Sequence, residues 1–418
     1  MAPPIPLLLA PLPCLLSPVT RFVSPAMRFL HTSDWHVGKT LRNHRRDDEY
    51  AAALAEVLDI AKGEAVDCLL VAGDAFDSAV PPPEAERIVF AFFGELAGAG
   101  IPAVVIAGNH DHPRRWNAYA PVLRHLGIHV IGEPVTADEG GVIELPSRDG
   151  GETAVIAALP WVSERKVRDF ETLMTEGKHL EEYADGVAQM MAHLCGAFRR
   201  ETVNVLAAHV LLEDAKVGGP ESGERPLHMG QSYVVKRQSL PATAQYIALG
   251  HVHMPQDTGL ANGAYCGSLL QCDFGEAGQA KRVNVVDITP GRRADVRPVT
   301  LSSLKRLRNV GSQKAGVTLD DLKALAPRID EDYVKVFVKV DRPLPGLAEQ
   351  VREIVPNAVD IVVERAADDA KDDRPEIHRL SAHELFAAYH QSAYTRPPDP
   401  ALLALFNRLY EEATGAPD

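Results

Sequence analysis

The chain has 418 residues, 46% of them hydrophobic and 24% charged, with a formal net charge of −14. That length exceeds one hydrophobic core and predicts two or three domains of ordinary globular composition, with no run long and apolar enough to span a membrane. The acidic balance argues against broad coverage of nucleic-acid phosphates, which takes Lys and Arg, and five cysteines without a Cys-x-x-Cys pair favour a reducing, cytoplasmic compartment over a disulfide framework.

Residues 1–26 have no basic stretch ahead of their apolar part, and prolines interrupt that part. They read as an unstructured leader, or as a start placed upstream of Met27, rather than as an export signal. Met27–Ser33 then reads as a strand, Asp48–Gly63 as a helix and Asp67–Ala72 as a short apolar strand. Pro82–Gly98 is helical, with prolines at its start where they are tolerated. Pro102–Ala107 is a strand and Trp116–Leu126 a helix. Ala154–Leu159 and Val203–Ala208 are further apolar strands with two helical stretches between them, followed by Tyr246–Leu249 and a strand near Asn284–Ile288. Near-continuous apolar strands alternating with helices predict an α/β fold with buried sheets.

The composition changes after Leu301. Tyr333–Val340 alternates as a half-buried strand does, and Pro345–Ile354 and Val359–Val363 complete a small β-α-β unit. The charged stretch Ala366–Arg374 reads as linker. Ser381–Tyr389 and Pro400–Thr414 read as amphipathic helices, the second carrying Leu402, Leu403, Leu405, Phe406 and Leu409. The expected boundaries are therefore a leader 1–26, a main domain 27–300, a small α/β domain 301–365, a linker 366–380 and a helical segment 381–418.

Five strands end in polar groups. They run into Asp34-Trp35-His36, Gly73-Asp74-Ala75-Phe76-Asp77, Gly108-Asn109-His110-Asp111, His209, and Gly250-His251-Val252-His253. Open α/β sheets place their sites at such C-terminal strand ends. Asp34 and His36 are two apart on what reads as an extended segment, so both point the same way, and the same holds for His251 and His253. Carboxylate, imidazole and amide oxygen suit Mn²⁺, Fe²⁺ or Zn²⁺. Each motif alone fits a turn, a capping loop or a hydrogen-bonded core histidine. The five in series supply seven donor groups, too many for one ion and enough for two.

This order resembles the calcineurin-like metallophosphoesterases, whose motifs run D-x-H, GD-x-x-D, GNH[DE], a lone H and GHxH. "FLHTSDWHVGKTL", "VAGDAFD", "IAGNHDHP", "ERPLHMGQ" and "YIALGHVHMPQ" are similar to the SbcD-type nucleases of the Mre group, and Tyr265–Ile288 resembles that family's Gly-Ser loop and following strand. The resemblance implies a β-sandwich flanked by helices, a small C-terminal α/β capping domain and a terminal helical pair. It implies one metal held by Asp34, His36, Asp74 and His253, and a second held by Asp74, Asn109, His209 and His251, with Asp74 bridging two ions, Mn²⁺ foremost. His110 falls on the family's catalytic histidine. Asp111 is expected to orient His110 or its loop, and Asp77 stands where some relatives have a histidine.

The implied activity is that of the nuclease component of an SbcCD-type complex in DNA replication, recombination and repair. It is a double-strand exonuclease and single-strand or hairpin endonuclease on DNA. The implied partner is an SbcC-type coiled-coil ATPase docked on the terminal helices. The implied assembly is a homodimer within a heterotetramer, formed through Pro82–Gly98 and Trp116–Leu126. The basic residues Lys39, Arg42, His44, Arg45, Arg46, Arg114 and Arg115 follow the first and third motifs. Of these, Lys39, Arg42, Arg45 and Arg115 are expected to meet substrate phosphates, the alternative being a solvated surface. A phosphodiesterase or phosphatase acting on small substrates, and a non-catalytic scaffold, are the competing readings.

Overall fold

A computed structural model of the chain describes residues 26–163, 165–167, 183–217, 233–259, 263–302, 304–329, 331–340, 344–365, 385–387, 389–391 and 396–414. The expected leader up to residue 25, the "ERPLHMGQ" segment, the linker and most of the first terminal helix lie outside them.

The strands are β1 (Met27–Thr32), β2 (Cys68–Ala72), β3 (Ala103–Ile106), β4 (Ile128–Ile131), β5 (Val142–Pro146), β6 (Thr153–Leu159), β7 (Val203–His209), the two-residue β8 (Leu211–Leu212) and β9 (Val234–Val235), β10 (Tyr246–Gly250), β11 (Gln256–Asp257), β12 (Gly263–Tyr265), β13 (Arg282–Ile288), β14 (Asp295–Thr300), β15 (Leu307–Val310), β16 (Tyr333–Val340) and β17 (Ala358–Arg365). One six-stranded sheet has the order β14-β13-β1-β2-β3-β4, and a second the order β11-β12-β10-β7-β6-β5. Within the first, β1, β2, β3 and β4 are parallel; within the second, β6, β7, β10 and β12 are parallel. Parallel pairing collects the C-terminal strand ends of each sheet on one edge.

The period of two along each strand explains the architecture. Phe29, Leu70, Ala72, Val104 and Ile106 point between the sheets and meet Ile156, Ala158, Val205, Ala207 and Tyr246. Their neighbours Leu30, Leu69, Val71, Ala103 and Val105 point outward onto α1 (Asp47–Gly63), α2 (Pro83–Gly98) and α3 (Pro113–His125), among Leu54, Val57, Phe93, Leu96 and Trp116. On the far side, Ala157, Leu159, Leu206, Ala208 and Leu249 are covered by Val187, Met190, Met191 and Leu194 of the helix Tyr183–Cys195. Both faces of the inner strands of each sheet are thus buried, which is why those strands read as unbroken apolar runs. The result is a β-sandwich with helices outside it.

The main departures from expectation are edge elements. β5 alternates buried Ile143 and Leu145 with exposed Glu144 and Pro146, and β14 is largely exposed and contains Pro298, which an edge position tolerates. Helix α3 begins at Pro113, three residues before the expected Trp116, and the ring of His112 accepts from the Arg115 amide at its start. β16 is buried on both faces rather than one. Its Lys335 lies 3.7 Å from Asp360 and over the Phe337 ring, so an aliphatic stem fills a position that alternation reserves for solvent.

By packing, the chain divides into two compact units, Met1–Glu364 and Arg365–Asp418. The sheet β15-β16-β17 belongs to the first unit and has a core of its own, built on Val334, Val336, Val338, Leu322, Leu347 and Val351. It is tied to the sandwich by Arg42, which pairs with both Asp273 and Asp360, and by Tyr333, whose hydroxyl donates to Glu49 at 2.8 Å. In the second unit the helix Pro400–Thr414 presents Leu405 and Leu409, while Phe406 stacks on Phe386 at 4.1 Å. Among the described residues no helix is long and apolar enough to cross a membrane.

Candidate metal centre

The residues between the polar groups of each motif are core anchors. Trp35, Ala75, Phe76 and Val252 are all buried. Trp35 meets Phe92 edge to face at 5.4 Å, and Phe76 stacks on Trp116 at 5.4 Å. Each such aromatic pair contributes roughly 0.5–1.5 kcal/mol beyond the area it buries. With the intervening side chain held in the core, the flanking polar groups are turned toward the edge of the sandwich.

The backbone does this by leaving the strand. Asp34, His36, Asp74 and His251 all have positive φ, near +50° for the first three and +98° for His251. The extended segment expected for Asp34–His36 and His251–His253 does not form. Hydrogen bonds between loops hold the left-handed turns instead: Asp34 N donates to Gly73 O at 2.9 Å, His36 N to Asp74 O at 3.0 Å, and His251 N to the Asp34 carboxylate at 2.9 Å. The last of these ties one sheet to the other. Such strain, of order 1–3 kcal/mol per residue, persists only where surrounding structure over-determines it. At Gly250 a Cβ would fall on the carbonyl oxygen of Ala72, so the two sheet edges meet at this distance only with glycine there.

The donor atoms converge in two groups. His36 Nε2 and His253 Nε2 are 3.0 Å apart. Asn109 Oδ1 lies 3.0 Å from His209 Nε2 and 2.9 Å from His251 Nδ1. Two nitrogens bound at right angles to one ion at about 2.1 Å are about 3.0 Å apart, so both spacings suit a shared divalent ion. Asp74 stands between the groups. Its Oδ1 accepts from the His110 amide at 2.7 Å, and its Oδ2 faces both His209 Nε2 at 3.5 Å and His36 Nε2 at 3.8 Å. Asp34 lies within reach of both sets, beside His36 and His253 and beside Asp74 and His209. All seven sequence-identified donors are therefore brought together, and the arrangement fits two ions.

Outer contacts orient the rings. His209 Nδ1 pairs with Ala72 O at 2.8 Å, which leaves Nε2 for the centre. His253 Nδ1 pairs with Glu276 Oε1 at 2.8 Å, with the same effect. Trp161 stacks on His251 with ring centroids 5.2 Å apart. Burial pushes the Asp74 carboxyl up, but His209, His36 and His110 outweigh it and hold that carboxyl well below the usual range. Burial lowers His36 to about 4, so its ring is neutral at physiological pH, as a ligand must be. His209 goes the other way: burial is overcome by Asp74 and Asp34, which raise it to about 9, so an incoming ion displaces a proton there.

His110 sits beside the first group, its ring edge-on to His36 at 4.6 Å, with Nδ1 bonded to the Asp77 carbonyl at 2.7 Å. Nε2 is the nitrogen this leaves for a substrate oxygen. Asp111 accepts from the amides of Gly108, Phe76 and Ala75 at 2.9–3.3 Å, so it clamps the second and third motif loops together. Burial, with the charge of Asp74 nearby, pushes its carboxyl up to about 7. The Asp77 carboxylate bonds Lys39 at 3.0 Å and lies 3.5 Å from His36 Nδ1.

Of the four basic residues expected to meet phosphates, Lys39 alone lies against the centre, through Asp77. Arg42 is held by Asp273 and Asp360, Arg45 by Asp47 and Arg115 by Glu86. Arg46 is buried, bonded to Glu49 and to the carbonyl of Gln271. Glu276 and Lys281, which pack behind His253, do not stand out in the sequence, although both lie within Tyr265–Ile288; a charged pair in a loop next to glycine and serine is the available signal.

Residues 27–255 match the model of the calcineurin-like phosphoesterase family, and residues 303–394 that of the type 5 capsule protein repressor C-terminal domain. The SbcD component of the nuclease SbcCD from Bacillus subtilis (strain 168) is 41% identical over 282 residues, 66% of this chain and 70% of that protein. Its namesake from Rhodobacter capsulatus is 30% identical over 334 residues, 75% of this chain and 81% of that protein. The protein of that name from Escherichia coli (strain K12) is 30% identical over 308 residues, 72% and 73% of the two chains.

Proposed function

Since this chain belongs to the calcineurin-like phosphoesterase family and is a metal-dependent nuclease of the SbcD type, we propose that it hydrolyses DNA phosphodiester bonds at the centre of Asp34, His36, Asp74, Asn109, His209, His251 and His253. The observation that carries this reading is the placement of Asp74 Oδ2 between two donor groups, each with pairs of ligand atoms about 3 Å apart.

When bound, two divalent ions neutralise the non-bridging phosphate oxygens and bring the pKa of a water near neutral. The chain's own groups do the rest. Asp34, His36, Asp74 and His253 form one pocket and Asp74, Asn109, His209 and His251 the other, so the scissile phosphate is oriented across Asp74. His110, its Nδ1 fixed by the Asp77 carbonyl, presents Nε2 to the leaving oxygen and donates a proton to it or stabilises its charge. Lys39, held by Asp77, offers a half-buried cation beside the centre to a backbone phosphate. The donor set, free of thiolate, suits Mn²⁺, Fe²⁺ or Zn²⁺, and the resemblance to the SbcD-type nucleases puts Mn²⁺ foremost.

The substrates are duplex ends, digested exonucleolytically, and hairpins, opened endonucleolytically. The terminal helix, with Leu405 and Leu409 exposed, docks on an SbcC-type coiled-coil ATPase that supplies the DNA grip an acidic chain lacks. Helices α2 and α3, with Val122 exposed on α3 and Val80 and Leu126 exposed beside the two helices, pair two copies within the heterotetramer. The test compares cleavage of a DNA hairpin and of bis(p-nitrophenyl) phosphate in Mn²⁺, with and without the ATPase partner. Hairpin opening that far exceeds hydrolysis of the small diester is expected; the reverse would favour a small-substrate phosphodiesterase.

A further inference from the structure

Glu276 is a fully buried carboxylate 23 residues beyond the last motif, and every contact it makes is to a donor. Its Oε1 lies 2.8 Å from His253 Nδ1. Its Oε2 accepts from Lys281 Nζ at 2.6 Å, from the Cys272 amide at 3.1 Å and from Ser268 Oγ at 3.3 Å. Lys281 is itself buried, and its ammonium also donates to the backbone carbonyl of His253 and to Gln279 Oε1, both at 3.0 Å. Both carboxylate oxygens of Glu276 are thus occupied as acceptors, and the side chain is fixed in place. With Glu276 holding Nδ1 of His253, the other ring nitrogen, Nε2, is the one that faces His36.

We infer that Glu276, held in place by Lys281, is the positioning residue for His253 and makes the two metal pockets unequal. This rests on the two-metal reading above. A carboxylate behind a ligating imidazole fixes its tautomer and raises its basicity, and loss of such a partner typically weakens metal binding 10–100-fold. The described partners on the other side are weaker: His209 has only the neutral carbonyl of Ala72 behind it, and His251 has the face of Trp161. The pocket of His36 and His253 is thus the one with a carboxylate behind its imidazole.

The test uses the full-length chain stripped of metal and titrated with Mn²⁺, with bound ions counted by equilibrium dialysis and free Mn²⁺ read by electron paramagnetic resonance. Glu276→Gln alone leaves a buried ammonium unpaired and risks unfolding. The decisive protein is the double variant Glu276→Gln/Lys281→Met, which removes both charges at nearly constant volume. Circular dichroism establishes that it is folded. The expected result is two ions at wild-type affinity in the parent, and in the folded double variant one ion unchanged and one bound 10–100-fold more weakly. Two ions at wild-type affinity in the double variant would overturn the positioning role, and equal weakening of both would overturn its assignment to one pocket. A parent that binds fewer than two ions would defeat the two-metal reading, and the inference with it.

Discussion

His110 has one ring nitrogen committed to the Asp77 carbonyl and its amide committed to Asp74, but none of its hydrogen bonds is to another proposed ligand's metal-facing nitrogen. His110→Ala should therefore keep both ions and lose hydrolysis by a factor of about 10²–10⁴, the usual worth of a positioned acid. Mn²⁺ counting together with a hairpin-cleavage rate checks it; wild-type cleavage by the variant would remove His110 from the chemistry. The seven donors were legible in the sequence because each follows an apolar strand and their residue types converge on one purpose. Their left-handed conformations were not, because Asp-x-His spacing in an extended strand also turns both side chains one way. Glu276 was hidden for a different reason. A Glu and a Lys in a loop have the same composition as a solvated turn, and only tertiary packing brings them under His253. Arg42 and Arg115 illustrate the converse, since cations that looked available are bound by acids distant in sequence.

At the level of the strands, His31 on β1 and Tyr246 on β10 join the two sheets, with Nδ1 and the hydroxyl 2.8 Å apart and the rings edge to face. Burial lowers His31 to about 3. The unfolded chain, with histidine near 6.5, then binds more protons than the folded one between those values. Stability from this group is complete above about pH 6.5 and is lost as pH falls toward 3, by up to about 1.4 kcal/mol per pH unit. In urea unfolding, the wild type should lose about 2 kcal/mol more between pH 7 and pH 5 than His31→Gln does. Equal pH dependence would show that His31 does not carry this coupling. The same scale shows where patterning works. The interior strands β1, β2, β3, β7 and β10 were legible because burial on both faces makes them unbroken apolar runs. β4, β5, β12, β14 and β15 were not: they are short, or lie at or near sheet edges, where polar residues and Pro298 are tolerated.

Over the whole molecule, the proposed function has an acidic chain work on an anionic polymer, with bound metal ions and an ATPase partner supplying the positive charge. Leu405→Asp/Leu409→Asp lies on exposed positions, so its effect on folding should stay within about 0.5 kcal/mol per site. Co-purification with an SbcC-type ATPase should fail for this variant, while Mn²⁺ binding by the isolated chain remains; retained co-purification would place the docking surface elsewhere. Whether the five loops form one bimetallic centre is read most directly by the Mn²⁺ stoichiometry of the folded protein and its ligand variants. Two ions per chain are expected for the wild type, none for Asp74→Ala, and one each for His251→Ala and His253→Ala, left in different pockets. A single ion in the wild type, full occupancy in Asp74→Ala, or loss of the same ion from both histidine variants would contradict it.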